Sequence, residues 1–170
     1  EMSLCLVGSE MCIRDSAVAT WTNPSNPSDI VSFSVKKFNK IDRLTDVNND
    51  IFYNVEFGKV EEINYESVDG KIVQGWIVKP PQFDSKKKYP LVLRIHGGPH
   101  SMYNVGFNYN FQLHAAQDQV VLYTNPRGST GYGYDFANAI QNAYPGNDYD
   151  DIMAGVDAVS YTHLRAHETQ

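Results

Sequence analysis

The segment HGGP at residues 96–99 directly follows the apolar run of residues 91–95 and offers the clearest chemistry in the chain. Glycines at the end of a strand let the backbone turn sharply and leave amide N–H groups uncovered. Such amides can donate hydrogen bonds to the oxyanion that develops when a carbonyl group is attacked. These residue types are therefore compatible with an oxyanion site in this turn. An ordinary turn at the end of a strand is the competing interpretation.

A second glycine-rich segment, NPRGSTGYG, occupies residues 125–133. It has neither the Gly-Lys-Ser/Thr of a phosphate loop nor GxGxxG spacing, so a nucleotide site is not favoured. Ser129 lacks the GxSxG surroundings of a nucleophile elbow, and a packed loop is the preferred interpretation. Burying Arg127 alone would be costly, so we expect it to pair with a carboxylate such as that of Asp151.

Histidines and tyrosines are the other side chains that could be functional. His96, His100 and His114 lack HExxH or any other firm spacing of metal ligands, so the sequence predicts no metal and no cofactor. His114 falls in a predicted helix, where packing or surface exposure is the expected role. Tyrosines are frequent in this half of the chain, and we expect most of them to pack in the core. These are Tyr103, Tyr109, Tyr123, Tyr132 and Tyr134.

The two ends of the chain are related through their coding sequences. Residues 159–169 can be written in codons whose reverse complement translates as residues 5–15. The relation continues for one residue on either side, so thirteen consecutive residues at one end are antisense to thirteen at the other. The same string is similar to a transposase adapter that is used to prepare sequencing libraries.

This relation predicts that residues 1–16 and 158–170 are translated adapter and that the genuine protein lies at 17–157. A natural inverted repeat or a real amphipathic tail is the alternative. The insert keeps 16 acidic and 12 basic residues and no cysteine. We therefore expect no zinc, redox or nucleophile role for the reactive side chains at the two ends. These are Cys5, Cys12, Ser160, His163 and His167.

Length and charge exclude several classes of protein. The 170 residues suit one soluble globular domain or a piece of a larger one. Twenty acidic and 14 basic residues give a net charge of −6, which argues against a nucleic-acid partner. No apolar run reaches the length of about 18 residues that a transmembrane helix needs. The N-terminal residues do not have the pattern of a signal peptide.

The first half of the chain predicts mainly strands. Residues 30–35 alternate apolar and polar side chains and predict a strand, and residues 51–57 predict another short one. Residues 21–29 are rich in Asn, Pro and Ser and predict a loop with turns. Two alternating runs, at 61–67 and 72–78, flank an Asp-Gly turn, which is the strongest short-range signal of a β-hairpin.

The second half predicts alternating strands and helices, in the order buried strand, helix, buried strand, loop, helix and helix. The segments are 91–95, 107–117, 120–123, 125–133, 134–143 and 150–157. This alternation implies an α/β fold with a parallel sheet and helical crossovers. Active sites in such sheets lie at the carboxyl ends of strands, where both glycine-rich segments fall.

Several blocks of sequence occur in the order found in one enzyme family. KYPLVLRIHGGPH at 88–100, VLYTNPRGSTGYG at 121–133 and YPGNDYDDIMAGV at 144–156 resemble successive blocks of the prolyl oligopeptidase family of serine peptidases. Its branch of acylaminoacyl-peptidases and dipeptidyl-peptidase-like enzymes is the most similar. Residues 43–45, 61–63, 67–70 and 75–76 resemble the passage from the last propeller blade into the catalytic domain.

The resemblance implies the end of a β-propeller at 17–57 and the N-terminal part of an α/β-hydrolase domain at 58–157, truncated before the nucleophile elbow. It implies acyl-enzyme chemistry on short peptides by a Ser, Asp, His triad. It also implies that the backbone amide of Gly98, with that of Gly97 beside it, donates to the oxyanion.

The triad itself is not expected in this chain. The family's GxSxGG-type elbow should follow Asp157, where the predicted adapter begins. The chain order Ser, Asp, His in this fold excludes His96 as the triad base. We therefore expect the chain alone to be inactive and insoluble or molten, because its last strand would present an unpaired apolar edge.

Two other classes of function remain open. An esterase of the hormone-sensitive lipase type also uses an HGG turn, and a degenerate hydrolase fold could bind partners without a nucleophile. A peptide is the expected substrate of the whole protein, and the sequence predicts no nucleic-acid partner and no membrane segment. Oligomeric state, compartment and the preferred substrate side chain are not predicted.

Overall fold

The computed structural model describes residues 5–6, 11–13, 15–37, 40–98 and 100–160, of which 5–6 and 11–13 are described by their backbone alone. The chain divides into two compact units. One contains the described residues up to Glu56 together with Asn104–Tyr109. The other contains Phe57–Tyr103 and the described residues from Asn110 onward. The first unit is an antiparallel sheet, and the second combines a mixed sheet with helices.

The first unit is built around two long strands that pair with each other, β3 and β4. Its strands are β1 (Cys5–Leu6), β2 (Met11–Ile13), β3 (Ser16–Asn23), β4 (Asn26–Ser34) and β5 (Ile41–Arg43). They pair in the order β1-β3-β4-β5, and β2 also pairs with β3. Alternate residues of the two long strands point inward and form a small core of Ala17, Ala19, Val31 and Phe33. The strand predicted at 30–35 is confirmed as part of β4.

The loop predicted at 21–29 is wrong, because most of these residues belong to β3 and β4. Only Pro24 and Ser25 form the turn between the two strands. The side-chain oxygen of Asn23 accepts hydrogen bonds from the Ser25 backbone N–H at 2.9 Å and from Asn26 Nδ2 at 3.0 Å. The Asn, Pro and Ser residues thus build a tight hairpin turn, and their effect does not extend into the flanking strands.

The strand predicted at 51–57 is also wrong. These residues begin inside α1 (Asn49–Phe52), a single helical turn. The backbone carbonyl of Asn48 accepts hydrogen bonds from the N–H groups of Ile51 and Phe52, at 3.2 and 3.0 Å. Local helical hydrogen bonds have therefore prevailed over the strand preference of the β-branched and aromatic side chains.

The second unit has a four-stranded sheet whose strands are β6 (Val60–Glu66), β7 (Ile72–Val78), β8 (Leu91–Arg94) and β9 (Val120–Asn125). The spatial order is β6-β7-β9-β8. The β6–β7 hairpin is confirmed, with Gly70 in its turn at a φ of 81°. Among the described strands, β8 and β9 pair in parallel across a helical crossover, as predicted, whereas β6–β7 and β7–β9 pair antiparallel. Strands joined by a tight turn must run antiparallel, and the hairpin therefore makes the sheet mixed.

Helices follow the strands as predicted, with different lengths. They are α2 (Tyr109–Ala116), α3 (Tyr134–Asn138) and α4 (Asn147–Val159). The first agrees with the prediction and the last is longer than predicted. The helix predicted at 134–143 ends at Asn138, after which the chain continues through successive tight turns. Val159 of α4 packs against Ile77, Val120 and Leu122 in the core of this unit.

The exposed edge predicted for the last strand lies elsewhere. All six residues of β9 are buried, because this strand runs between β7 and β8. Among the described residues, β6 and β8 are the border strands, and the residues of β8 are half-buried or exposed, not buried as predicted. The fully buried strand β9 thus lies in the interior of the sheet, next to β7.

Candidate functional site

The two glycine-rich segments leave the sheet at the same edge. Residues 95–98 follow β8, and residues 126–133 follow β9. These strands are parallel neighbours, so their carboxyl ends coincide, as expected for an α/β site. Pro99 of the predicted HGGP turn lies outside the described residues.

Hydrogen bonds join the two segments. The His100 N–H donates to the carbonyl of Gly128 at 3.2 Å, and the Thr130 N–H donates to that of Ser101 at 3.0 Å. The side chain of Asn125 accepts from the N–H of Tyr103 at 2.7 Å and donates to its carbonyl at 3.0 Å. The segment after β9 therefore fixes the path of the segment after β8.

His96 and Ser129 form the side-chain contact between these segments. The Nε2 atom of His96 lies 2.9 Å from Oγ of Ser129, and its Nδ1 atom lies 2.9 Å from the carbonyl oxygen of Gly97. The ring of Tyr103 packs edge-on against the imidazole, with centroids 5.2 Å apart. Ser129 is fully buried, which agrees with its interpretation as part of a packed loop. Sequence reasoning named both residues and did not connect them.

Gly97 and Gly98 have amides that nothing in the described part of the chain uses. Both residues are exposed, and neither amide N–H donates a hydrogen bond within those ranges. A Cβ atom added at either position would meet nothing within 4 Å of the described residues. Neither residue has a positive φ. Packing and backbone strain therefore do not explain why these positions are glycine.

A cavity of about 730 Å³ opens beside the turn. Ile95, His96 and Gly98 lie on one of its walls, and Ile140, Tyr144 and Ile152 belong to the segments that complete it. The lining is mainly apolar. A cavity of this size and character is typical of a site for an organic ligand.

Arg127 also reaches this cavity, and carboxylates neutralise its charge. Its Nε and Nη2 atoms donate to the two carboxylate oxygens of Asp151, at 2.9 and 2.6 Å. Its Nη1 atom donates to Asp69 at 2.6 Å, and Nη2 lies 3.4 Å from Oγ of Ser67. The predicted pairing of Arg127 with Asp151 is confirmed. Both side chains are buried, so the cluster is a structural ion pair.

The pKa values in this cluster follow from its contacts. Hydrogen bonds from Arg127 lower the pKa of Asp69 below its usual range, against a smaller opposing effect of desolvation. Hydrogen bonding to Asp151 raises the pKa of the Arg127 guanidinium, with Asp69 contributing in the same direction. Arg127 and Asp69 are therefore charged at neutral pH, and the guanidinium that lines the cavity is already paired with carboxylates.

The tyrosines divide into packed and exposed residues. Tyr123 is buried and stacks on Trp76 at 5.3 Å, and burial raises the pKa of its hydroxyl. Tyr132 is half-buried and donates a short hydrogen bond to Gln74. Tyr109 and Tyr134 are exposed. The predicted core packing is therefore confirmed for Tyr123 and wrong for Tyr109 and Tyr134.

The remaining candidates add no second site. His114 contacts the side chain of Gln119 at 2.8 Å. Among the described residues, no group of three or more His, Cys, Asp or Glu could hold a metal ion. No helix in the described ranges is both long and apolar enough to cross a membrane. The side chains of Cys5, Cys12, His163 and His167 lie outside what the structure describes.

Comparison with known proteins gives one consistent result. Residues 105–168 match the model of the prolyl oligopeptidase family. The chain is 42% identical over 140 residues to the uncharacterized peptidase YuxL of Bacillus subtilis, which covers 82% of this chain and 21% of that protein. It is 38% identical over 106 residues to dipeptidyl-peptidase 5 of Schizosaccharomyces pombe, which covers 61% of this chain and 15% of that protein.

Solved structures agree with these relatives. The acylaminoacyl peptidase of Pyrococcus horikoshii superposes with a TM-score of 0.83 at 25% identity, over 99% of this chain and 26% of that one. An acylaminoacyl peptidase in complex with Z-Gly-Gly-Phe-chloromethyl ketone gives a TM-score of 0.84 at 25% identity, with the same coverage of 99% and 26%. The chain thus spans about a quarter or less of the length of these proteins, and its sheets and helices are consistent with their α/β architecture.

Proposed function

Because the chain belongs to the prolyl oligopeptidase family, we propose that it is part of a serine peptidase that hydrolyses short peptides through an acyl-enzyme. Its contribution is the oxyanion site, formed by the amide of Gly98 with that of Gly97 beside it. The observation that carries this assignment is a pair of exposed amides beside an apolar cavity, neither of which has an acceptor among the described residues.

The proposed chemistry assigns one step to this turn. When a serine oxygen attacks the peptide carbonyl, the carbonyl's π electrons move onto its oxygen, which becomes an oxyanion. The Gly98 N–H donates to that oxygen and lowers the energy of the transition state. Removal of one such donor reduces kcat by about 100- to 1,000-fold in enzymes of this kind. The serine, aspartate and histidine of the triad lie on parts of the protein outside this chain.

The cavity beside the turn is the proposed position of the bound peptide. Its mainly apolar lining suits an apolar side chain, and the Arg127 guanidinium, already paired with Asp69 and Asp151, is not available to bind an acidic one. A peptide with an apolar residue before the cleaved bond is therefore the preferred substrate under this proposal.

The proposed domain organisation follows the family. We assign residues 17–57 to the end of a propeller and residues 58–157 to the N-terminal part of the hydrolase domain. The flanks 1–16 and 158–170 remain proposed adapter sequence. Since the chain contains no GxSxGG-type turn, we expect it to have no peptidase activity by itself. Expressed alone, it should be insoluble or should lack a sharp thermal transition.

The test uses the full-length protein that contains this segment. We expect it to hydrolyse a chromogenic short peptide and to react with a fluorophosphonate, which labels active serine hydrolases. We expect Gly98→Ala to lower kcat/KM by about 100-fold, because the added methyl group crowds the oxyanion position. Its melting temperature should stay within about 1 °C of wild type, because the methyl group meets no atom of the described chain.

Three results would contradict the proposal. A protein that hydrolyses esters and no peptides would be an esterase. A protein that binds peptides without turnover and resists the fluorophosphonate would be a binding module. Full peptidase activity in Gly98→Ala would remove the turn from the reaction.

A further inference from the structure

The imidazole of His96 contacts the peptide unit that carries the proposed oxyanion donor. Its Nδ1 atom lies 2.9 Å from the carbonyl oxygen of Gly97. A carbonyl oxygen only accepts hydrogen bonds, so Nδ1 carries the proton. Nε2 of the neutral ring is then an acceptor, and the hydroxyl of Ser129 donates to it at 2.9 Å.

The Gly97 carbonyl and the Gly98 N–H belong to one planar peptide unit. In a trans peptide these two groups point in opposite directions, so fixing the carbonyl also fixes the direction of the N–H. The hydrogen bond from His96 therefore restrains the orientation of the Gly98 amide. Each bond in such a chain also polarises the next, which makes the terminal N–H a stronger donor.

The surroundings hold this chain of bonds in place. Ser129 is fully buried, and its own N–H donates to the carbonyl of Pro126 at 3.0 Å. The Tyr103 ring packs against the imidazole and restricts its rotation. By contrast, the glycine turn has free space around it and no other restraint on its amides within the described residues.

We propose that His96 and Ser129 are positioning residues that orient and polarise the Gly97–Gly98 peptide so that its N–H faces the oxyanion. Both residues act on the reaction through the Gly97–Gly98 peptide, and no proton is transferred between them during the reaction. This inference rests on the proposed function, in which the Gly98 amide is an oxyanion donor.

The decisive test compares His96→Asn with His96→Gln in the full-length protein. The amide nitrogen of Asn lies near the position of Nδ1 and can donate to the Gly97 carbonyl, whereas that of Gln lies near Nε2 and cannot. We expect Asn to retain kcat within about 10-fold of wild type and Gln to lose about 100-fold, with KM changed by less than about 3-fold for both. Equal kcat values for the two variants would overturn the proposal.

Ser129→Ala and Ser67→Ala form a second, matched pair. Each removes one hydroxyl from a buried serine, but Ser67 contacts Arg127 and has no link to the glycine turn. We expect Ser129→Ala to lower kcat by about 10-fold and Ser67→Ala to leave it unchanged, at comparable losses of melting temperature. Parallel changes in kcat would indicate a purely structural role for Ser129.

A measurement without turnover separates this inference from the proposed function. Nitrogen NMR of the protein labelled at histidine, with the His96 signal identified from His96→Asn, reports the ring tautomer. We expect the neutral Nδ1–H form. The Nε2–H form would overturn the proposed positioning role of His96, even in a fully active enzyme. Absence of peptide hydrolysis in a protein that shows the Nδ1–H form would contradict the proposed function alone.

Discussion

The Arg127 cluster and the His96–Gly98 turn lie at the same edge of the sheet and differ in how fully they use their polar groups. In the cluster, the guanidinium donates to two carboxylates and contacts a buried hydroxyl. In the turn, two exposed amides have no acceptor within the described residues. Buried polar groups must be satisfied internally, and groups left free at a cavity can serve a ligand. The polar groups of the Arg127 cluster therefore stabilise the fold, whereas the amides of the turn are left available to a ligand.

The glycines of the two segments also differ in whether the structure explains them. Gly128 has a φ of 99°, and a Cβ atom there would lie 2.5 Å from Cδ1 of Ile140. Its conformation and its neighbours both require glycine. Gly97 and Gly98 face neither constraint within the described chain. Under the proposed function, the reason for glycine at these two positions is the close approach of a substrate carbonyl.

The largest stability effect should come from opening the Arg127 cluster. Arg127→Ala leaves the fully buried carboxylate of Asp151 without its guanidinium partner. We expect a loss of about 3–5 kcal/mol in the free energy of unfolding, measured by urea denaturation of the full-length protein. A loss below about 1 kcal/mol would mean that the cluster does not stabilise the fold, and the contrast with the glycine turn would not hold.

The next largest effect on the free energy of unfolding should distinguish Gly128→Ala from Gly97→Ala. The first substitution combines a positive φ with a clash, and we expect it to destabilise the protein by about 1–3 kcal/mol. The second introduces a methyl group into open space, and its free energy of unfolding should stay within about 0.5 kcal/mol of wild type. Equal destabilisation by both would show that the turn is packed like the second loop.

The smallest effect is a pH dependence. Because hydrogen bonds from Arg127 lower the pKa of Asp69, this carboxylate adds stability above its unfolded pKa of about 3.9, and the contribution is lost as the pH falls through the lower folded value. Asp69→Asn should therefore flatten the decline of stability below about pH 4. The control is Asp84→Asn, at an exposed carboxylate. An unchanged acid dependence in Asp69→Asn would exclude Asp69 as a stabilising partner.

Local features of the fold could be predicted from the sequence, whereas most contacts between distant residues could not. The hairpin around Gly70 was predictable because turn chemistry depends on adjacent residues. The Arg127–Asp151 pair was predictable because a buried guanidinium requires a carboxylate. The loop assignment at 21–29 failed because the same Asn, Pro and Ser residues fit a two-residue turn as well as a long loop.

Strand order and the contact between His96 and Ser129 needed the structure. Both depend on how β9 inserts between β7 and β8, which brings residues 33 positions apart into hydrogen-bonding contact. Neither hydrophobic periodicity nor motif spacing contains that information. For the same reason, the predicted open edge was placed on the wrong strand.

The Asn125 side chain has a consequence for motion. By accepting from the N–H of Tyr103 and donating to its carbonyl, it makes the two bonds that a neighbouring strand would make. The chain after the glycine turn is therefore tethered as if the sheet continued there. In hydrogen–deuterium exchange, the amide of Tyr103 should exchange slowly and those of Gly97 and Gly98 quickly. Under the proposed function, this tether keeps the chain beside the turn in place while the exposed amides of Gly97 and Gly98 stay open to an arriving carbonyl.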